Sequence, residues 1–438
     1  MGEFYISDGK TVVPFDEELR EYIGYSCVAN YLMRYLRDID AKTCVIEEKY
    51  VDKDYLVDYQ LFYSRSFEDI KRYTLRLHFF KNVFSEDELR DFILKGSFEK
   101  LKESYLGFVV VKPICDESDQ PLIGRTALKP YPEEDDGKKR FFIKCRIPVC
   151  LFGMKKDIET LPYQQQDRGV SACATIALWT CLFPLSNLFK IPRQSPAEIT
   201  KISTRCPAPH RRFPSVGLTL EQILRYIGEI GLDNEVLLDI EGDKVPLVVK
   251  AYLNAGLPLL ALLKFSKGSS SPDWHAVVIS GYKTNESGEI EELYVHDDQI
   301  GPYSRVKPNH DFKFWKNEWL GEYSEIELKH LVIPVYEKIR LTFPKLYAFY
   351  EKYKTTFQEK FKDISEYLKF ELFLSSIQEY KYSLTRENIE NKWEILKESF
   401  PHYIWIIRAS IMGRRIWEDI FDATSTRVRS IENIYYRF

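Results

Sequence analysis

The feature that most constrains this chain is a cysteine carried by a polar, glycine-containing loop onto the start of an apolar helix. The run reads Gln164-Gln-Gln-Asp-Arg-Gly-Val-Ser-Ala-Cys173-Ala-Thr-Ile-Ala-Leu-Trp, and the helix it predicts extends to Phe183. A second helix is expected near Thr219, with Leu220, Ile223, Leu224 and Ile227 on one face. Strand-like runs follow at Pro258–Leu263, His275–Gly281 and Ile290–His296. Helix first and antiparallel strands afterwards predict an α+β domain over residues 156–337.

The cysteine's setting carries chemistry. A helix N-terminus offers unpaired amides and partial positive charge, which favour a thiolate. The same amides can hold the oxyanion formed on acyl attack, helped by an upstream side-chain amide. Three glutamines, Gln164, Gln165 and Gln166, stand 9, 8 and 7 residues before Cys173. His275 opens an apolar strand 102 residues further on, and Asp297 and Asp298 end the next one. Two adjacent strands can set the imidazole beside an acid that orients it. Strand parity leaves Asp297 and Asp298 both open as that acid. It also turns His296 to the opposite face, where it reads as a surface residue.

The order Cys, His, Asp, the helix-borne cysteine and the strands His275-Ala-Val-Val-Ile-Ser-Gly-Tyr282 and Val295-His-Asp297 resemble papain-like cysteine peptidases. The likeness is nearest to bacterial peptidases that remove double-glycine leaders from bacteriocins, and it covers roughly 150 of the 438 residues. It implies a papain-like core, a catalytic helix packed on an antiparallel sheet, that cleaves amide bonds by acyl transfer. Carried over, Cys173 matches the nucleophile, His275 the base, Asp297 the orienting acid and Gln166 or a neighbour the oxyanion residue. Six residues before the cysteine, where that family usually has its glutamine, this chain has Asp167, and Ala174 follows the cysteine.

The outer regions match no family. Residues 1–155 mix helix and strand: helical spacing from Phe15 to Leu36, a half-buried strand Tyr73–Phe80, a helix capped by Ser85, a strand Tyr105–Pro113 and another from Phe141 to Pro148. Residues 132–140 form a charged loop. In residues 338–438, helical spacing at 346–362 and a helix capped by Thr385 accompany strands at Phe370–Leu374 and Ile416–Phe421. The proline-rich segment Arg205–Gly217 reads as a connector or a wall of the substrate groove, and Ser269–Ser271 as a short turn.

With 62 basic and 66 acidic residues interspersed, the chain has no basic excess to bind nucleic acid. Its first ten residues lack a signal-peptide pattern, and no apolar run approaches membrane-spanning length. A cytoplasmic protein without membrane association is expected. Eight scattered cysteines, with no C-x-x-C pair, predict neither a disulfide framework nor a zinc site. No metal or cofactor is expected, and the partner is a protein or peptide substrate. Two further readings stand beside the peptidase: a degenerate papain-like scaffold for protein interaction, and a transglutaminase-like acyl transferase.

Overall fold

The structure, a computed structural model, describes residues 10–133, 137–167, 169–207, 217–266, 273–321 and 325–436. Residues 1–9, the tip of the charged loop (134–136), most of the proline-rich segment (208–216) and the serine turn lie outside the described residues.

Helix and strand are mixed throughout. Residues 12–128 build a five-stranded antiparallel meander: Val12–Pro14, Thr43–Tyr50, Thr74–Phe80, Tyr105–Cys115 and Pro121–Leu128. The strand Thr74–Phe80 is buried along its whole length rather than on one face. Its polar residues are accommodated by Glu47, which accepts a hydrogen bond from Arg76 Nε at 2.7 Å and pairs with His78 Nε2 at 3.2 Å. The strand Tyr105–Cys115 runs through Pro113 instead of ending there. The helical spacing near the N-terminus is interrupted at Gly24 (φ 74°), and Ser26 caps a new helix, Cys27–Asp38. Ser85 and Glu88 form the reciprocal cap of helix Glu86–Lys95.

The central sheet has eight antiparallel strands, and Asp273–Thr284 is its spine. Leu259–Ser266 pairs with the first half of that strand on one edge, and Lys139–Phe142 takes over the same edge at Gly281–Thr284. A Cβ at Gly281 would stand 2.3 Å from the Phe141 carbonyl oxygen, so the take-over requires glycine. Ile290–Asp297 pairs with the other edge of the spine, followed outward by Gly301–Pro308 and Trp315–Lys316. Beyond Leu259–Ser266 lie Glu325–Tyr336 and Leu232–Leu237.

The single strand expected from Phe141 to Pro148 is two strands in different sheets. Lys139–Phe142 joins the central sheet, while Cys145–Leu151 forms a hairpin with Met154–Thr160. Near the C-terminus, Leu368–Ser376, Tyr403–Ile411, Arg414–Asp422 and Ser430–Tyr435 make a four-stranded sheet. Thr385 ends helix Ile377–Thr385, which Ser376 caps, rather than starting a helix.

The cysteine helix, Cys173–Phe189, is buried from Ala174 through Leu185. One continuous apolar core joins it to all three large sheets. No helix among the described residues is long and apolar enough to cross a membrane.

Candidate active site

Two elements of the core carry the residues expected at the site. The cysteine helix starts at Cys173, which is half-buried. The first amides of a helix have no partner within it, so they are available at this end. The loop before it is tied down locally. Asp167 Oδ1 accepts the amides of Gly169 (3.0 Å) and Val170 (2.9 Å), and the Asp167 amide donates to Ser171 Oγ at 3.0 Å. Thr200 Oγ1 donates to the Val170 carbonyl at 2.8 Å. An aspartate two residues before a glycine is a turn signal in its own right, and here it marks a turn that the polar character of the loop alone does not announce.

The second element is the pair of strands Asp273–Thr284 and Ile290–Asp297. The register Val278–His296 puts His275 and Asp297 on one face, as diagonal neighbours. His275 Nε2 lies 2.9 Å from Asp297 Oδ1, with both side chains buried. Asp297 Oδ1 also accepts the Gln299 amide at 3.0 Å, which fixes the carboxylate. The ring of His275 rests against Phe265, with centroids 5.4 Å apart.

Burial works against the imidazolium form of His275. Asp297, by charge and by hydrogen bond, outweighs it, and Cys173 and Asp298 add to the effect, so the ring is held well above the ordinary imidazole range. Asp297 and Cys173, both expected from the sequence to act with His275, thus both contribute to holding that ring up, and Asp297 does so through a hydrogen bond.

Asp298 also lies close, with Oδ1 3.7 Å from His275 Nε2. Neither of its buried carboxylate oxygens has a hydrogen-bond partner among the described residues. Burial pushes its carboxyl up to about 7 against the pull of His275, with Asp297 adding to the rise. Between the two acids, Asp297 makes the hydrogen bond. His275, Asp297 and Asp298 also offer ligand atoms within 4.8 Å of one another, a spacing that a metal ion could bridge.

His296 is not on the surface. It faces away from His275, as parity requires, but other parts of the chain cover that face. Its Nδ1 lies 3.0 Å from Ser280 Oγ, its Nε2 donates to the Leu161 carbonyl at 2.9 Å, and Tyr303 packs edge-on at 4.5 Å. Burial drives it down to about 4, and no acid compensates. The two histidines thus have opposite electrostatics, and only His275 is paired with a carboxylate.

The three glutamines separate by environment. Gln165 is committed to the sheet: its amide donates to the Ile123 carbonyl (2.9 Å) and its Oε1 accepts the Ile123 amide (3.2 Å). Gln166 is half-buried. Gln164 is buried, and its Nε2 has no partner among the described residues. All eight cysteines are free thiols.

No family model matches the chain, and no curated protein matches it. Among solved structures, UfSP from C. elegans is similar over 59% of this chain and 47% of that one, at 14% identity and a TM-score of 0.25. The chain thus spans about half the length of that structure.

Proposed function

We propose that this chain is a thiol hydrolase that cleaves a peptide or isopeptide bond in a protein substrate. The observation that carries the reading is the hydrogen bond between His275 Nε2 and Asp297 at 2.9 Å, with Cys173 among the groups that hold the ring well above the ordinary imidazole range. With Nε2 engaged, Nδ1 is the nitrogen left for the thiol, the arrangement a nucleophile, base and orienter require.

In this mechanism His275 takes the thiol proton and the sulfur attacks the substrate carbonyl carbon. The oxyanion meets the Cys173 backbone amide and a glutamine amide. For the latter, the expectation on Gln166 passes to Gln164, supported by the unspent, buried Nε2. The imidazolium then protonates the departing amine, leaving an acyl-cysteine thioester. Water attacks the thioester, giving its proton to His275, and the acid product leaves as the thiol is restored. The regions outside 156–337 select the substrate.

A library of fluorogenic peptide amides tests the reading with wild type, Cys173→Ser, His275→Ala, Gln164→Ala and Gln166→Ala. Cys173→Ser and His275→Ala should each lower kcat/KM by about a thousandfold or more. Gln164→Ala should cost on the order of a hundredfold, and Gln166→Ala far less. Turnover that survives Cys173→Ser would remove the mechanism. No turnover by wild type, together with no acyl-probe labelling of Cys173, would leave the interaction scaffold as the better account.

A further inference from the structure

The loop that carries Cys173 is bordered by a buried charge that comes from the N-terminal sheet. Lys112, on strand Tyr105–Cys115 of the N-terminal sheet, places Nζ 3.9 Å from Asp167 Oδ2, and both side chains are 2% exposed. Neither atom has a hydrogen-bond partner among the described residues. Asp167 is the residue that ties the turn leading to Cys173.

The same N-terminal region also reaches the neighbouring helices. Asp58 accepts the Ala197 amide at 3.0 Å, at the start of helix Pro196–Ser203, and Asp54 accepts the Trp179 indole N–H at 3.1 Å, on the cysteine helix itself. Asp58 faces both Lys112 and Asp167. Burial pushes the Asp58 carboxyl up to about 8 despite Lys112, while Asp167 is the carboxylate that lies 3.9 Å from the ammonium. Asp52, the next acid along, is matched by Arg125 at 2.8 Å.

We infer that Lys112 is a positioning residue, whose buried ammonium holds Asp167 in place so that the Asp167–Ser171 turn presents Cys173 to His275. An unneutralised carboxylate at this depth would protonate or turn toward water, and its hold on the Gly169 and Val170 amides would weaken. The N-terminal region is then part of the machinery that shapes the nucleophile loop. The positioning role rests on Cys173 being the nucleophile; the hold on the loop does not.

The test uses the full chain as Lys112→Met, Lys112→Arg and Lys112→Met/Asp167→Asn. Two readouts are taken: amide hydrogen exchange, and the rate of Cys173 alkylation by iodoacetamide over about three pH units, roughly pH 5.5–8.5. Lys112→Met should speed exchange at Gly169–Ser171 by about tenfold or more, with Val277–Ile279 unchanged. It should also slow Cys173 alkylation and alter its pH profile. Lys112→Arg should recover most of both. The double variant, whose new asparagine side chain can still accept the two amides without a charge to balance, should restore loop protection to within about threefold of wild type.

Loop exchange within about twofold of wild type in Lys112→Met, or a uniform rise across the whole chain, would overturn the inference. Should Lys112→Met fail to fold, the double variant decides, because an unprotected turn there removes the role assigned to charge balance. If wild-type Cys173 alkylates no faster than an ordinary thiol, the hydrolase reading fails while the exchange result still settles Lys112's hold on the loop.

Discussion

Replacing Asp298 with asparagine removes a buried carboxylate that has no hydrogen-bond partner among the described residues. Its carboxyl rises from the ordinary 3.8 to about 7, chiefly through burial. Because the folded value lies above the unfolded one, the associated stability is fully present below about pH 4 and is lost as pH rises through 7. A rise of about three pH units corresponds to roughly 4 kcal/mol between those limits. The rise to about 7 is already net of the attraction between ionised Asp298 and protonated His275. Asparagine cannot ionise, and any cost of its buried amide is the same at every pH. Asp298→Asn should therefore gain on wild type by about 2–4 kcal/mol between pH 4.5 and 8. Urea unfolding of both proteins at several pH values measures the gap. A gap constant to within about 0.5 kcal/mol would refute the claim that Asp298 is charged at a cost in the folded chain.

His78 and His296 act in the opposite direction. Burial lowers both to about 4, so their stability is present above the usual imidazole value and is lost as pH falls toward 4. Each is worth roughly 3 kcal/mol across that window, and His296→Gln should flatten the acid limb of a urea-midpoint profile. Gly301→Ala should lower stability by about 1–3 kcal/mol in thermal unfolding, because the added Cβ would stand 2.1 Å from the Tyr31 ring beside the Asp297 turn.

Much of the fold was legible where local chemistry decides it. Ser85 with Glu88 and Thr219 with Gln222 are reciprocal caps whose partners lie three residues away, and both helices begin where those pairs predict. The apolar run after Cys173 and the strand order from Leu259 to Asp297 were legible for the same reason. What failed depended on distant parts of the chain. Nothing local to His296 announces that Leu161, Ser280 and Tyr303 will cover it, so parity alone made it a surface residue. The run Phe141–Pro148 has the composition of one strand, yet it turns between two sheets because its two halves pair with segments far apart in sequence. Thr385 has the side chain of a cap, but Ser376 had already started that helix. At the site, the pairing of His275 with Asp297 was legible from residue type and order. Gln164 stood undistinguished beside Gln165 and Gln166, and Lys112 carried no signal, since what sets both apart is a buried hydrogen-bonding atom with no partner among the described residues.

The central claim is that His275 activates Cys173, and the most direct measurement is limiting alkylation of the native protein near pH 6, with each modified cysteine mapped by mass spectrometry (, about two pH units below an ordinary thiol's range). The exposed Cys150 serves as the internal reference. Cys173 should be modified well ahead of it, and the advantage should disappear in His275→Ala. If Cys173 is modified no faster than Cys150, or keeps its lead without His275, the claim is contradicted.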